Sequence, residues 1–99
     1  MMNFLFTTTQ ETYGYCEEIV ECLQTYLSWS KHEAIQLVNE YWKDEQAFDD
    51  YDLRLHEFPY YWAVCIHLKA TGRNTPYWWK DSSLWPPPEG YIERRLYKR

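Results

Sequence analysis

Apolar residues recur at helical spacing in the first stretch of this 99-residue chain. The stretch follows Thr7, Thr8 and Thr9, which are common helix N-caps, and predicts a helix from about Gln10 to Leu27. Its apolar stripe consists of Cys16, Ile19, Val20, Leu23, Tyr26 and Leu27. Three glutamates, Glu17, Glu18 and Glu21, fall on the opposite face. The pattern therefore predicts an amphipathic helix with an acidic outer side.

A second helix is predicted after the short break at residues 28–30. Ser30 is followed three residues later by Glu33, which is the spacing of a capping box. The apolar positions after it again have helical spacing and are Ala34, Ile35, Leu37, Val38, Tyr41 and Trp42. Because so few residues separate the two helices, we expect them to be neighbours in the fold.

The third predicted helix begins at Pro59, a residue favoured at the first helical position, and runs to about Ala70. Gly72 follows it as a natural helix stop. Between Pro59 and Ala70 the sequence is apolar on nearly every side, which is typical of a central, buried helix.

The last part of the chain, about residues 73–99, is rich in proline and tryptophan. Its four prolines, at positions 76, 86, 87 and 88, oppose a long helix before Glu89. Three tryptophans, Trp78, Trp79 and Trp85, are expected to attach the segment to the helices. A short final helix from Glu89 is favoured over a strand from Tyr91 to Tyr97.

These patterns predict a mostly α fold in a single small domain covering residues 1–99. Its three-helix core spans about residues 8–72. An extended C-terminal segment rich in Trp and Pro, about residues 73–99, packs on that core. A short final helix is an additional possibility within this segment.

Charge divides the chain into two parts. Residues 1–57 carry twelve acidic and three basic side chains, a net charge of −9, whereas residues 58–99 carry three acidic and seven basic side chains, a net charge of +4. Summed charge influences which partners a protein attracts and how fast it meets them. The polarity therefore predicts a protein that binds another macromolecule.

Candidate groups for catalysis or metal binding are few. The chain has three cysteines, Cys16, Cys22 and Cys65, and an odd number argues against a disulfide framework. Without a Cys-x-x-Cys or His-x-x-x-His pair, no metal site is predicted, and without a Gly-rich phosphate loop, no cofactor is predicted. Cys65 is better explained as a small core residue than as a nucleophile. We therefore expect no enzyme, with a small enzyme using Cys65 or His56 as an alternative.

The sequence also bears on location. Residues 1–10 contain no basic region and no apolar stretch of signal-peptide length, and no run approaches the roughly 20 apolar residues of a membrane span. We expect no membrane association and a location in the reducing cytoplasm, where thiols remain free.

The strongest candidate for a binding site is an acidic stretch that contains two aromatic residues. We call it the predicted contact loop, and it consists of Phe48, Asp49, Asp50, Tyr51 and Asp52. Carboxylates steer an approaching basic partner, while buried aromatics supply contact area. The loop predicts a protein partner with a basic surface, as for an inhibitor or immunity-type protein that masks a basic site.

The alternative partner is nucleic acid, which would bind the basic, aromatic end of the chain. The residues in question are Tyr91, Arg94, Arg95, Tyr97, Lys98 and Arg99. Cations can contact phosphates there and tyrosines can stack on bases. The acidic charge of the whole chain ranks this alternative second.

Overall fold

The computed structural model describes Phe4 and residues 9–43, 53–73 and 77–97. Three α-helices pack together, namely α1 at Gln10–Leu27, α2 at Lys31–Tyr41 and α3 at Pro59–Ala70. Two short 3₁₀ helices, Leu53–His56 and Trp78–Lys80, and a last helix, α4 at Tyr91–Tyr97, complete the order of elements. The predicted mostly helical fold with a three-helix core is confirmed, and the alternative of a strand at the C-terminal end is wrong.

Reciprocal hydrogen bonds between residues three apart mark the start of α1 and of α2. At α2, the Glu33 backbone N–H donates to Ser30 Oγ (3.1 Å) and the Ser30 backbone N–H donates to Glu33 Oε1 (3.3 Å), so the predicted capping box is confirmed. At α1, Thr9 and Thr12 exchange equivalent bonds of 3.2 and 2.8 Å. Thr12 occupies the position in α1 where a capping box usually has Glu or Gln. At both helix starts, these side chains accept hydrogen bonds from backbone N–H groups of the first turn.

The ends of α1 and α3 use left-handed backbone positions. Ser28 follows α1 with φ 65°, and Gly72 follows α3 with φ 72°. After α3, the Gly72 N–H donates to the Lys69 carbonyl (3.1 Å) and the Arg73 N–H donates to the Leu68 carbonyl (2.9 Å). This pair of bonds is a Schellman motif, which satisfies the last carbonyls of the helix and explains the predicted stop.

One face of each main helix forms the core. Its members on the three helices include Cys16, Ile19, Val20, Leu23, Ala34, Val38, Ala63, Val64, Ile66 and Leu68. Aromatic residues of α3 also contact the C-terminal segment, since the ring centroids of Tyr61 and Trp78 lie 5.3 Å apart. Because α3 packs against α1 and α2 with some residues and against this segment with others, it needs apolar residues on several sides.

The C-terminal segment packs on the core, but its backbone is more compact than the extended chain that its prolines favour. It passes through successive turns, closed for example by the bond from the Leu84 N–H to the Asp81 carbonyl (3.0 Å), and the Trp85–Pro86 peptide is cis. Trp78 is buried and Trp85 is half-buried, as expected. Trp79 instead leaves 44% of its surface exposed.

Candidate functional site

The predicted contact loop, Phe48, Asp49, Asp50, Tyr51 and Asp52, lies outside the described residues. It remains a prediction. The acidic side of α1 is described: Glu17 and Glu18 are half-buried and Glu21 is exposed. They occupy the outer face because the intervening positions 16, 19, 20 and 23 point into the core. The outer side of α1 therefore presents carboxylates, while its inner side packs in the core.

A groove lies between α1 and α4. The α1 side supplies Glu18, Glu21, Cys22, Thr25 and Tyr26, whose spacing places them on one side of that helix. The α4 side supplies Tyr91 and Arg94, three residues apart. The cavity measures about 290 Å³ and combines two carboxylates, two phenol rings and one guanidinium. We call it the α1–α4 groove.

Arg94 forms part of the wall of this groove and lies against Tyr26. Its guanidinium carbon is 5.6 Å from the centre of the Tyr26 ring, and its Nη2 donates a hydrogen bond to the Tyr26 hydroxyl. Gly90 makes room for this arrangement, since a Cβ at position 90 would lie 2.9 Å from Arg94 Nη1. Gly90 also has φ 85°, a backbone conformation that residues with side chains rarely adopt. The wall of the groove thus already places a cation on an aromatic face.

The two tyrosines that line the groove, Tyr26 and Tyr91, pack on the buried Tyr60. The ring of Tyr26 lies 5.9 Å from those of both Tyr60 and Tyr91, and Tyr60 and Tyr91 are 5.7 Å apart. The Tyr60 hydroxyl donates to the Leu84 carbonyl (2.7 Å), and the Tyr60 N–H donates to the Tyr91 hydroxyl (3.2 Å). Burial raises the pKa of Tyr60, with Cys22 and Tyr26 adding to the effect. These contacts support the rings of Tyr26 and Tyr91 from the core side.

A second exposed aromatic surface occurs at residues 77–80, which we call the aromatic turn. Tyr77 is 62% exposed and Trp79 is 44% exposed, and their ring centroids are 5.5 Å apart. Lys80 Nζ lies 5.2 Å from the centre of the Tyr77 ring. Tyr77 has φ 61°, which is unusual for a bulky residue. Trp78, between them, is buried and anchors the turn to α3.

The thiol of the enzyme alternative, Cys65, is half-buried on α3. Burial raises the pKa of Cys65, an effect that hydrogen bonds with Trp78 and Tyr61 partly oppose and the charge of Glu57 reinforces. A raised pKa favours the protonated thiol, which is a poor nucleophile. None of the three cysteines, all of which lie in the described residues, forms a disulfide, and Cys16 and Cys22 are buried in the core.

The two histidines nearest to Cys65 in the sequence, His56 and His67, have different surroundings. His56 is exposed in the 3₁₀ helix before α3. His67 is half-buried, and its Nδ1 accepts a hydrogen bond from Trp29 Nε1 (3.0 Å). Burial, and secondarily the charge of Arg73, lowers the pKa of His67. Its neutral form therefore links α3 to the loop between α1 and α2.

The basic C-terminal residues are only partly described. Tyr91 is buried and Arg94 contacts Tyr26, so these two contribute to packing within the chain. The side chains of Arg95, Tyr97, Lys98 and Arg99 lie outside the described part of the chain. The sequence did not reveal the groove, because no local pattern connects residue 26 with residue 94, which is 68 positions away.

Searches for a metal site, a membrane-spanning helix and related proteins assign no function to the chain. Within the described ranges, no three His, Cys, Asp or Glu side chains are grouped so that they could hold a metal ion. Among the described helices, none has the length and apolar character needed to cross a membrane. Comparisons with protein-family models, curated proteins and solved structures found no match.

Proposed function

We propose that this protein is a non-enzymatic interaction module that binds a partner protein through the partner's basic surface. An inhibitor or immunity-type protein that masks a basic site is the form that best fits its size and charge. A cytoplasmic location is part of the same proposal, supported by the three free thiols.

The observation that carries this proposal is the separation of charge along the chain. The part up to residue 57 has a net charge of −9, and α1 displays Glu17, Glu18 and Glu21 on its outer side. Such a field raises the rate at which a basic partner is met and orients it during approach. The α1–α4 groove supports the proposal further, since it joins carboxylates with aromatic faces that suit a cation.

The predicted contact loop provides the test. We expect Asp49→Asn with Asp50→Asn to slow association and to flatten its dependence on salt, because long-range attraction is screened by ions. Tyr51→Ala should mainly speed dissociation, because it removes contact area after docking. The partner is first isolated by affinity capture on the full chain at low salt, and association and dissociation rates are then measured at two salt concentrations.

A matched control removes two acidic charges from the basic half. Glu89→Gln with Glu93→Gln changes the net charge by the same amount at exposed positions. This variant should associate at nearly the wild-type rate. The proposal fails if no basic protein is retained at low salt. It also fails if both double variants change association equally, since charge position would then not matter.

Nucleic acid remains the second candidate, and the aromatic turn favours it. Tyr77 and Trp79 are exposed beside Lys80, a combination that can stack on bases and contact phosphate. If single-stranded oligonucleotides bind, they should quench tryptophan fluorescence in a salt-dependent way, and Trp79→Ala should remove most of that quenching. Loss of oligonucleotide binding in Arg94→Ala and Arg95→Ala, with unchanged binding of any basic protein, would assign this activity to the C-terminal tail.

A further inference from the structure

We propose that the α1–α4 groove is a receptor for an arginine side chain of the partner, and that Arg94, on the wall of the groove, competes for the Tyr26 ring in the free protein. This inference rests on the proposed function, since it specifies which group of a basic partner is recognised. It concerns a site remote in sequence from the predicted contact loop.

The lining of the groove matches the chemistry of a guanidinium. Tyr26 and Tyr91 supply phenol rings, and Glu18 and Glu21 supply carboxylates. A guanidinium can stack on an aromatic face while it donates hydrogen bonds in its plane to carboxylates. It is also more weakly hydrated than an ammonium, so its transfer into a partly apolar groove is easier.

Arg94 shows that a guanidinium can lie against the Tyr26 side of the groove. It lies 5.6 Å from the centre of the Tyr26 ring and donates a hydrogen bond to the Tyr26 hydroxyl. The missing side chain at Gly90 leaves space for its Nη1. The chain itself therefore contains an example of the contact with Tyr26 that we propose for the partner's arginine.

Arg94 is also a ligand that can be displaced. Its side chain is exposed, and it belongs to a helix of only seven residues. A cation–aromatic contact at an exposed site favours the state in which the contact is formed over the open state by a factor of roughly 2 to 5. A partner's arginine that is held in place by surrounding contacts can overcome such a factor.

The test uses small probes, so that it does not depend on the identity of the partner. The probes are N-acetyl-arginine amide, N-acetyl-lysine amide and N-acetyl-citrulline amide, the last of which has nearly the shape of arginine without the charge. Binding is followed by NMR shifts of the Tyr26 and Tyr91 rings in the full chain. The variants are wild type, Arg94→Gln, and Arg94→Gln combined with Glu18→Gln and Glu21→Gln.

We expect N-acetyl-arginine amide to bind Arg94→Gln about 2 to 5 times more tightly than wild type, because the internal competitor is removed. Removing both carboxylates should abolish the gain. Arg73→Gln is the matched control, since it removes the same charge at an exposed position after α3 and should bind the probe as wild type does.

Three results would overturn the proposal. The first is equal affinity in wild type and Arg94→Gln when circular dichroism shows that both are folded. The second is an equal response to the citrulline or lysine probe, which would remove the preference for a guanidinium. The third is a set of shifts located away from Tyr26 and Tyr91. If Arg94→Gln does not fold, Arg94→Lys, which keeps the charge but loses the planar contact, is compared with wild type in the same way.

Failure of this inference and failure of the proposed function give different results. If none of the three probes binds, the inference about the groove fails, but the proposed binding of a basic partner and its dependence on salt can still be observed. Conversely, probe binding in a protein that retains no basic partner would support the groove and contradict the interaction with a basic protein.

Discussion

The region of α1 and α2, residues 9–43, and the C-terminal segment, residues 77–97, are held in place by different kinds of contact. In the first region, bonds between residues three apart set both helix starts, at Thr9 with Thr12 and at Ser30 with Glu33. In the second, aromatic side chains reach across the chain, as Trp78 does to Tyr61. The first region therefore follows largely from local sequence, whereas the second depends on the finished core.

The largest expected effect tests whether the C-terminal segment is part of the core. Trp78→Ala should lower the free energy of unfolding by about 3–5 kcal/mol, the range for emptying a buried tryptophan site. Trp78 is 5% exposed and its ring lies 5.8 Å from that of Trp85 as well as beside Tyr61. The measurement is urea unfolding followed by circular dichroism.

Trp79→Ala is the matched control for this prediction. Trp79 is the same residue type one position later, and 44% of it is exposed. We expect it to cost less than about 1 kcal/mol, as is usual for surface changes. If Trp79→Ala costs as much as Trp78→Ala, the segment is not anchored in the way that the structure describes.

How much could be predicted from sequence follows the same division. The bounds of α1 and α3 and the start of α2 were predictable, because Ser30 with Glu33, Pro59 and Gly72 each have a local geometric role. The difference between the buried Trp78 and the exposed Trp79 was not predictable, since these adjacent residues of the same type differ only in the parts of the folded chain that they contact.

The candidate groove shows the same limit more strongly. The acidic face of α1 was predictable from helical spacing alone. The contact between Tyr26 and Arg94 was not, because it requires the turn at Gly90 and the packing of α4 against α1. The predicted contact loop stays a prediction, as it lies outside the described residues.

A smaller effect is expected from a single long-range hydrogen bond. Tyr60→Phe should lower the free energy of unfolding by about 1–2 kcal/mol, because the Leu84 carbonyl loses its 2.7 Å donor in a buried place. Tyr77→Phe is the control at a position 62% exposed and should stay within about 0.5 kcal/mol of wild type. Equal stability of Tyr60→Phe and wild type would mean that water replaces the lost hydroxyl.

The local side of the comparison is tested at the start of α2. Ser30→Ala should cost about 1 kcal/mol, since it removes the acceptor for the Glu33 N–H and breaks the capping box. Ser82→Ala, at an exposed serine in the C-terminal turns, should change stability by less than about 0.5 kcal/mol. An unchanged unfolding curve for Ser30→Ala would show that α2 depends on core packing rather than on its own cap.

The smallest expected effect concerns pH and the hydrogen bond between Trp29, in the α1–α2 loop, and His67. Trp29 Nε1 donates to His67 Nδ1, which requires the neutral ring with its proton on Nε2. Burial and the charge of Arg73 hold the pKa of His67 below its usual value of about 6.5. The unfolded chain then binds more protons than the folded one near pH 6. The stabilisation is therefore complete above about pH 6.5 and is lost as the pH falls through the pKa of the folded state.

Removing this titration should flatten the pH dependence of stability. We expect His67→Gln, whose amide oxygen can still accept the bond from Trp29, to lose less unfolding free energy than wild type between about pH 7 and pH 5.5. The exposed His32 provides the control, and His32→Gln should follow the wild-type curve. Because carboxylates titrate in all three proteins, only the difference between the curves counts. If His67→Gln follows the wild-type curve across this range, the bond between Trp29 and His67 does not couple the loop to α3. The first region would then depend on its local caps and on apolar packing alone.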